Sequence, residues 1–341
     1  MKTYLLLIAL VVGLTLGLNQ PAYAASSDFS SAIILVYHRF GEDNIPDTNV
    51  TVAQFRAQLD YLQQQHYQVW PLPKVIEYLQ QGQSLPPHVV AITIDDAYRS
   101  VYTQAWPLLQ RYHFPFTVFV ATEPVDQHYP AMMTWDMIRD LVQHGVTIGN
   151  HSTAHEHNLS HEDAYIEKDT QIAAQRILQE TGVKATLYAY PYGEYSNRTK
   201  SLAQQFGFSA ALAQYSGVAN SQMDFYAIPR FAINEHYGQM DRFEIILNSL
   251  PLAMQVISPA DPLINTDQPK IILKLLQPNI NMKQLQCFVS NQVAPATIKL
   301  NGNAIEVVVN PLPLGRSKIN CTYWIAPNTW RWFGMPLMRL N

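Results

Sequence analysis

The chain has 341 residues, with 22 Lys and Arg against 26 Asp and Glu, giving a formal net charge of −4. Charged residues make up 14 % of it, well below the roughly 25 % of an average soluble domain, and no basic stripe is present, so nothing marks a nucleic-acid partner. A neutral partner such as a glycan fits this balance better than a polyanion, and the length suits one large domain plus a small one.

The first residues read as an export signal. Met1-Lys2 is a short positive start, 4–18 is an apolar run and Ala22-Tyr-Ala24 is a small-x-small cleavage site, so 1–24 reads as a signal peptide. The rival is a retained N-terminal anchor, since the apolar run is close to the lower length of a membrane span; Asn19, Gln20 and Pro21 favour cleavage. No later segment is long and apolar enough to span a bilayer. The expectation is a mature protein in the periplasm or secreted, without a stable membrane span. In that setting Cys287 and Cys321 are expected to form one disulfide.

Ala32-Ile-Ile-Leu-Val-Tyr37 is a buried strand with His38 at its end. A polar loop over 41–49 follows, then Thr51 as N-cap of a helix through 65, with Phe55, Leu59 and Leu62 at helical spacing. A strand ends near Val69-Trp70, and 74–81 is helical up to Gly82. The strand 89–94 runs out into Asp95-Asp96. A helix over 100–111, a strand over 116–120, a helix over 134–144 and a strand over 146–148 lead to Asn150-His151. A long helix over 163–180 precedes the strand 186–190 and Pro191-Tyr192-Gly193; a helix over 198–206 leads to a strand over 210–213. Strands alternating with helices predict a parallel α/β sheet, open or closed, with ligands at the C-terminal strand ends. After about 251 the pattern changes. A Pro/Asp/Asn-rich stretch over 259–268 reads as a linker between a domain at 25–258 and a small all-β sandwich at 269–341.

His38, Asp95-Asp96, His151 and Pro191-Tyr192 thus fall at strand ends, on one rim. In the run His151-Ser-Thr-Ala-His155, two imidazoles four residues apart can face one point if the stretch is helical, and a carboxylate closes the set. Nitrogen and carboxylate oxygen suit Zn²⁺ or a similar divalent ion. A second carboxylate beside it would be free to act as a base.

Thr93-Ile-Asp-Asp-Ala-Tyr98 and His151-Ser-Thr-Ala-His155 resemble the first two motifs of the NodB-type polysaccharide deacetylases, carbohydrate esterases that remove acetyl groups from N-acetylglucosamine polymers. Pro191-Tyr192-Gly193 resembles their third motif. The resemblance covers roughly 31–230. It implies a (β/α) barrel-like domain, a metal (most simply Zn²⁺) on Asp96, His151 and His155, and Asp95 as the general base. It also implies a backbone N–H at Tyr192 for the oxyanion. Two features depart from the family pattern. Tyr188-Ala-Tyr190 stands where an arginine commonly precedes the third motif, and no Leu-x-x-His follows it. Ile34-Leu-Val-Tyr-His38 resembles that last motif moved to the front, the layout of the biofilm poly-N-acetylglucosamine deacetylases, which makes His38 the expected acid and His236 the weaker alternative.

Each residue also has a structural reading. Asp95-Asp96 alone would be a turn or helix cap, the histidines a solvated pair, His38 a core histidine and Tyr192 a packed aromatic. Arg230 orients the base or the substrate, or is a surface cation. Trp135 lines a sugar subsite or fills the core, and Pro191 with Tyr192 would meet substrate. Trp324, Trp330 and Trp332 stack on carbohydrate or form the core of the C-terminal domain. The expected substrate is an acetylated N-acetylglucosamine polysaccharide. The alternatives are an inactive glycan-binding protein on the same fold and a deacetylase of another glycan such as acetylated xylan.

Overall fold

A computed structural model describes residues 30–277, 280–290 and 292–340. The expected signal segment at 1–24 lies outside them. The first domain is built on β1 (Ser31–Tyr37), β2 (Val89–Asp95), β3 (Phe116–Val120), β4 (Thr147–Asn150), β5 (Leu187–Ala189), β6 (Ala210–Leu212) and β7 (Phe231–Ala232). Each pairs in parallel with the next from β1 to β6. The sheet then closes: Leu212 bridges Ile228 in parallel, and β7 pairs in parallel with β1. Two short strands flank this ring, 68–69 on β2 and 219–220 antiparallel to β1.

The strands are nearly all apolar because both faces are covered. Alternation sends Ile34, Ala91, Phe119, Leu187, Leu212 and Ile228 into the barrel. Ile33, Leu35, Ile92 and Val118 point outward, under Phe55, Leu59 and Leu62 of helix α1 (Val52–Gln64). Thr51 caps α1 reciprocally: its Oγ1 accepts the Gln54 N–H at 3.1 Å while Gln54 Oε1 accepts the Thr51 N–H at 3.1 Å. Inside the barrel, Phe119 takes the space beside β4, and a β-carbon at Gly149 would lie 2.4 Å from its ring. The glycine makes room for the aromatic plug beneath the rim of the barrel.

The C-terminal unit is a two-sheet sandwich, but it starts earlier than the sequence pattern predicts. β8 (Leu250–Pro251) and β10 (Leu263–Ile264) both pair in parallel with β16 (Thr329–Arg339), and β9 (Met254–Ser258) pairs with β11 (Ile271–Leu275). The boundary therefore lies near 250, and 259–268 is an integral part of the sandwich. Proline and aspartate content pointed to a linker; short edge strands tolerate proline where a central strand does not. The remaining strands are β12 (Leu285–Val289), β13 (Ile298–Asn301), β14 (Ala304–Val307) and β15 (Gly315–Ala326). Cys287 of β12 and Cys321 of β15 are direct cross-strand neighbours joined by a disulfide in the sandwich core.

The sandwich packs on the barrel through the outer face of β15 and β16. Trp332 meets Phe231 of β7 edge to face at 5.2 Å and donates its indole N–H to Asn320. Gly334 lies so close to the barrel that a β-carbon there would be 1.9 Å from the Ser216 carbonyl oxygen. Trp332 is thus part of the domain junction, while Trp324 stays exposed opposite Trp330.

Candidate active site

Asp95 is the last residue of β2 and faces into the barrel; in a continuing strand Asp96 would face the other way. Asp96 has φ +74° and Ala97 φ +61°. This left-handed turn, which Asp tolerates better than most residues, breaks the alternation and aims both carboxylates at the mouth.

The histidine run is a loop rather than a helix, with Ser152 at φ +68° and His155 at φ +53°. It is held from behind. The Thr153 and Ala154 N–H groups each donate to the Asp169 carboxylate at 3.0 Å, and Thr153 Oγ1 donates to the Asp169 carbonyl. The Ser152 N–H donates to Asn150 Oδ1 at 2.8 Å. Asp169 belongs to α5 (Asp163–Thr181; α2, α3 and α4 are Leu72–Gln80, Trp106–Tyr112 and Trp135–Gln143), where it lies among the buried residues Ile166, Thr170 and Ala173. A carboxylate on the apolar face of a helix was the one sequence signal for it, and the motif reading passed over it.

His151 Nδ1 lies 2.7 Å from the Ala189 carbonyl and donates to it, leaving the lone pair of Nε2 toward the mouth. His155 Nε2 is 3.2 Å from His151 Nε2, and Asp96 Oδ1 is 3.1 Å and 3.3 Å from the two. Two tetrahedral ligands at the usual zinc distance of about 2.1 Å are about 3.4 Å apart. Asp96 Oδ1 is buried and accepts no hydrogen bond. Three lone-pair donors in a near-equilateral triangle, one of them an orphaned buried oxygen, fit a small divalent cation. No other such group occurs among the described residues.

Asp95 has a different environment. Arg230, fully buried, donates from Nη1 and Nη2 to its two oxygens at 2.7 Å each, and from Nε to the Ala213 carbonyl at 2.9 Å. Its Nη1 also reaches Thr93 Oγ1 at 3.2 Å, and the guanidinium lies 5.6 Å over the Phe119 ring. Burial pushes the Asp95 carboxyl up, but the Arg230 guanidinium and the His151 imidazole more than offset this and hold it below its ordinary value. Asp95 is therefore ionised, and at 4.0 Å from His151 Nε2 it stands beside the triangle without joining it. Arg230 binds the carboxylate and is too buried to be a surface cation or to meet substrate. It reaches Asp95 from the residue just before β7, the strand that closes the barrel.

His38 follows β1, whose Tyr37 pairs with Ile94 next to Asp95. Burial lowers its pKa, with Asp96 and Asp95 pulling the other way. His236, by contrast, is exposed, 3.6 Å from Asp47, and takes no part in this constellation. Tyr192 sits in a turn at φ +57°, and its ring stacks on His157 at 3.9 Å and lies 4.7 Å from His155. His157 Nδ1 is 2.8 Å from the Glu194 carboxylate. A β-carbon at Gly193 would lie 2.2 Å from Gln214, so the turn requires glycine there. The Tyr192 carbonyl accepts a hydrogen bond from Arg316 of the sandwich, which brings the second domain to the rim.

Two expected substrate contacts are corrected. Pro191 is buried under the turn it begins. Trp135 is buried in the core at the start of α4, its indole N–H donating to Asp126 at 2.8 Å. An indole at the first turn of a strongly amphipathic helix faces the barrel wall, not the mouth.

Residues 82–211 match the family model for polysaccharide deacetylases. That match bears out the resemblance read from the motifs. The matched segment carries both carboxylates, both histidines and Tyr192, while His38, just after β1, and Arg230, just before β7, lie outside it. Over 248 residues, covering 64 % of this chain and 82 % of the relative, it is 25 % identical to the poly-β-1,6-N-acetyl-D-glucosamine N-deacetylase of Staphylococcus aureus. Among solved structures, the Streptococcus pyogenes deacetylase PplD in complex with acetate superposes with a TM-score of 0.58 at 20 % identity, covering 61 % of this chain and 94 % of that one. IcaB from Ammonifex degensii superposes at 0.56 with 24 % identity, covering 62 % and 95 %. These likenesses cover the barrel's share of the chain, and at this identity the solved structures speak for the fold alone.

Proposed function

We propose that this chain hydrolyses the acetamide of N-acetylglucosamine units in a polysaccharide, with a divalent cation, most simply Zn²⁺, held by Asp96, His151 and His155. The observation that carries this reading is the division of labour between adjacent carboxylates: Asp96 is orphaned among imidazole lone pairs, whereas Asp95 is ionised and clamped beside them. A cation in that triangle would polarise the acetyl carbonyl and acidify a neighbouring water. Asp95 then takes the water's proton as general base, and Arg230 keeps its carboxylate ionised and pointed at the mouth. The Tyr192 N–H serves the developing oxyanion, and His38 gives a proton to the departing amine nitrogen. The Arg230 clamp on an ionised Asp95 supports a working base over an inert glycan-binding protein on the same fold.

The name of the Staphylococcus aureus relative supports an N-acetylglucosamine polymer as substrate. The Cys287–Cys321 disulfide and the signal-like residues 1–24 support a location in the periplasm or outside the cell. Among the described residues no helix is long and apolar enough to cross a membrane.

Acetate release should be measured on matched oligomers of β-1,6- and β-1,4-linked N-acetylglucosamine and on acetylated xylan. Release from an N-acetylglucosamine oligomer is expected to be the fastest; release from acetylated xylan alone would overturn the substrate class. His38 also sets a pH dependence. A donor works only when protonated, and burial depresses this imidazole, so kcat should fall as pH rises through its pKa. His38→Gln should be slower by about 10²-fold or more and should lack that falling limb. An unchanged limb in the variant would remove His38 from the mechanism.

A further inference from the structure

Three half-buried cations meet where the sandwich touches the rim, and none is paired with a carboxylate within hydrogen-bonding distance. Arg316 and Lys318 are two apart on β15, so both side chains leave the strand on the face turned to the barrel. Arg316 uses the Tyr192 carbonyl as acceptor. Arg242, in the first turn of α7 (Met240–Leu247; α6 is Asn197–Gln205), donates to the carbonyls of Ala232 at 3.3 Å and Tyr237 at 2.5 Å. Lys318 has no side-chain partner among the described residues. Burial, together with the like charges of Arg316 and Arg242, pushes its pKa down to about 8. The nearest acid acting on Arg316 is Glu194, which is already bonded to His157. A desolvated, uncompensated positive cluster costs stability; at the mouth of a site it is better explained by a ligand that arrives with the opposite charge.

We propose that Arg242, Arg316 and Lys318 form an anion subsite beside the catalytic mouth, and that the polymer processed here carries a carboxylate or phosphate on or near the acetamido sugar being hydrolysed. This rests on the deacetylase reading and narrows its substrate class. It also revises the expectation of a neutral glycan drawn from overall charge, because net charge averages away a local cluster. Arg316 reaches the Tyr192 turn and Arg242 the end of β7, so the subsite spans the β5–β7 side of the mouth, with the carboxylates and His38 on the side formed by β1 and β2.

The test compares oligomers in which N-acetylglucosamine alternates with its 3-O-lactyl ether against the same oligomers with the lactyl carboxylate converted to a methyl ester. Binding to the Asp95→Asn protein is read by calorimetry, and acetate release by the parent protein is read in parallel. The acid should bind at least about tenfold more tightly than the ester, and Lys318→Met should bring the two close to parity. Lys318→Met should also raise the Tm, since it removes an unpaired charge; a lysine with a structural partner would lower it. Equal binding of acid and ester by the starting protein, or discrimination unchanged in Lys318→Met, overturns the subsite. Discrimination retained without acetate release from any oligomer would instead overturn the deacetylase reading and leave the subsite standing.

Discussion

Asp95→Asn should reduce kcat by about 10²- to 10⁴-fold, the usual contribution of a positioned general base, while cation affinity changes little. Asparagine preserves the side chain's size and can still accept from Arg230, so the barrel mouth keeps its shape. What is lost is the ionised oxygen that removes the water's proton. The cation triangle consists of Asp96, His151 and His155, with Asp95 4.0 Å from His151 Nε2, so the metal content of the variant after dialysis should match the parent's. Turnover within threefold of the parent, with the cation bound, would show that Asp95 is not the base. Loss of the cation would show that the two carboxylates had been assigned to the wrong roles.

Arg230→Met should destabilise the fold by about 3–5 kcal/mol at neutral pH, the cost of leaving one member of a buried ion pair unpartnered. It should also depress turnover, because Asp95 would lose both its orientation and the charge that keeps it ionised. Arg230→Lys should rescue little, since one ammonium cannot reproduce two parallel bonds to a carboxylate plus a third to Ala213. The sign of the pH effect follows from Asp95. Its carboxyl lies below the ordinary value of 3.8 in the fold, so the pair contributes stability above that value and loses it as pH falls through the depressed pKa. Without Arg230, burial raises the Asp95 pKa, and the carboxyl can neutralise itself by taking up a proton. Urea unfolding of cation-free protein should therefore show a larger deficit for Arg230→Met at pH 7 than at pH 4. A deficit that is small, or independent of pH, would contradict the buried pair.

The motifs legible in the sequence are those whose chemistry is local. Strand ends were readable from apolar runs that stop at a charged or polar residue, which placed His38, Asp95 and His151 on one rim. Their spatial partners were not readable, because they depend on closure of the barrel. Arg230 lies 135 positions from Asp95 and immediately precedes a two-residue strand too short for any periodicity to announce it. That His151 and His155 can face one point was read from spacing alone, on the condition of a helix. The loop reaches the same convergence through two left-handed residues and Asp169, which spacing cannot encode. Trp135 and Pro191 were assigned by residue type, and burial placed both elsewhere. At the second domain, composition suggested a linker at 259–268, but pairing with β16 and β11 decides which residues belong to the sandwich, and those pairings are long-range.

The most direct test of the cation-assisted hydrolysis is acetate release from β-1,6-linked N-acetylglucosamine oligomers by protein stripped with a chelator and then titrated with Zn²⁺. Activity should vanish on stripping and return as about one equivalent of Zn²⁺ is added, and His151→Ala should remain inactive under the same titration. Undiminished acetate release from the stripped protein, or full activity in His151→Ala, would contradict the assignment of Asp96, His151 and His155 as the cation site on which the chemistry depends.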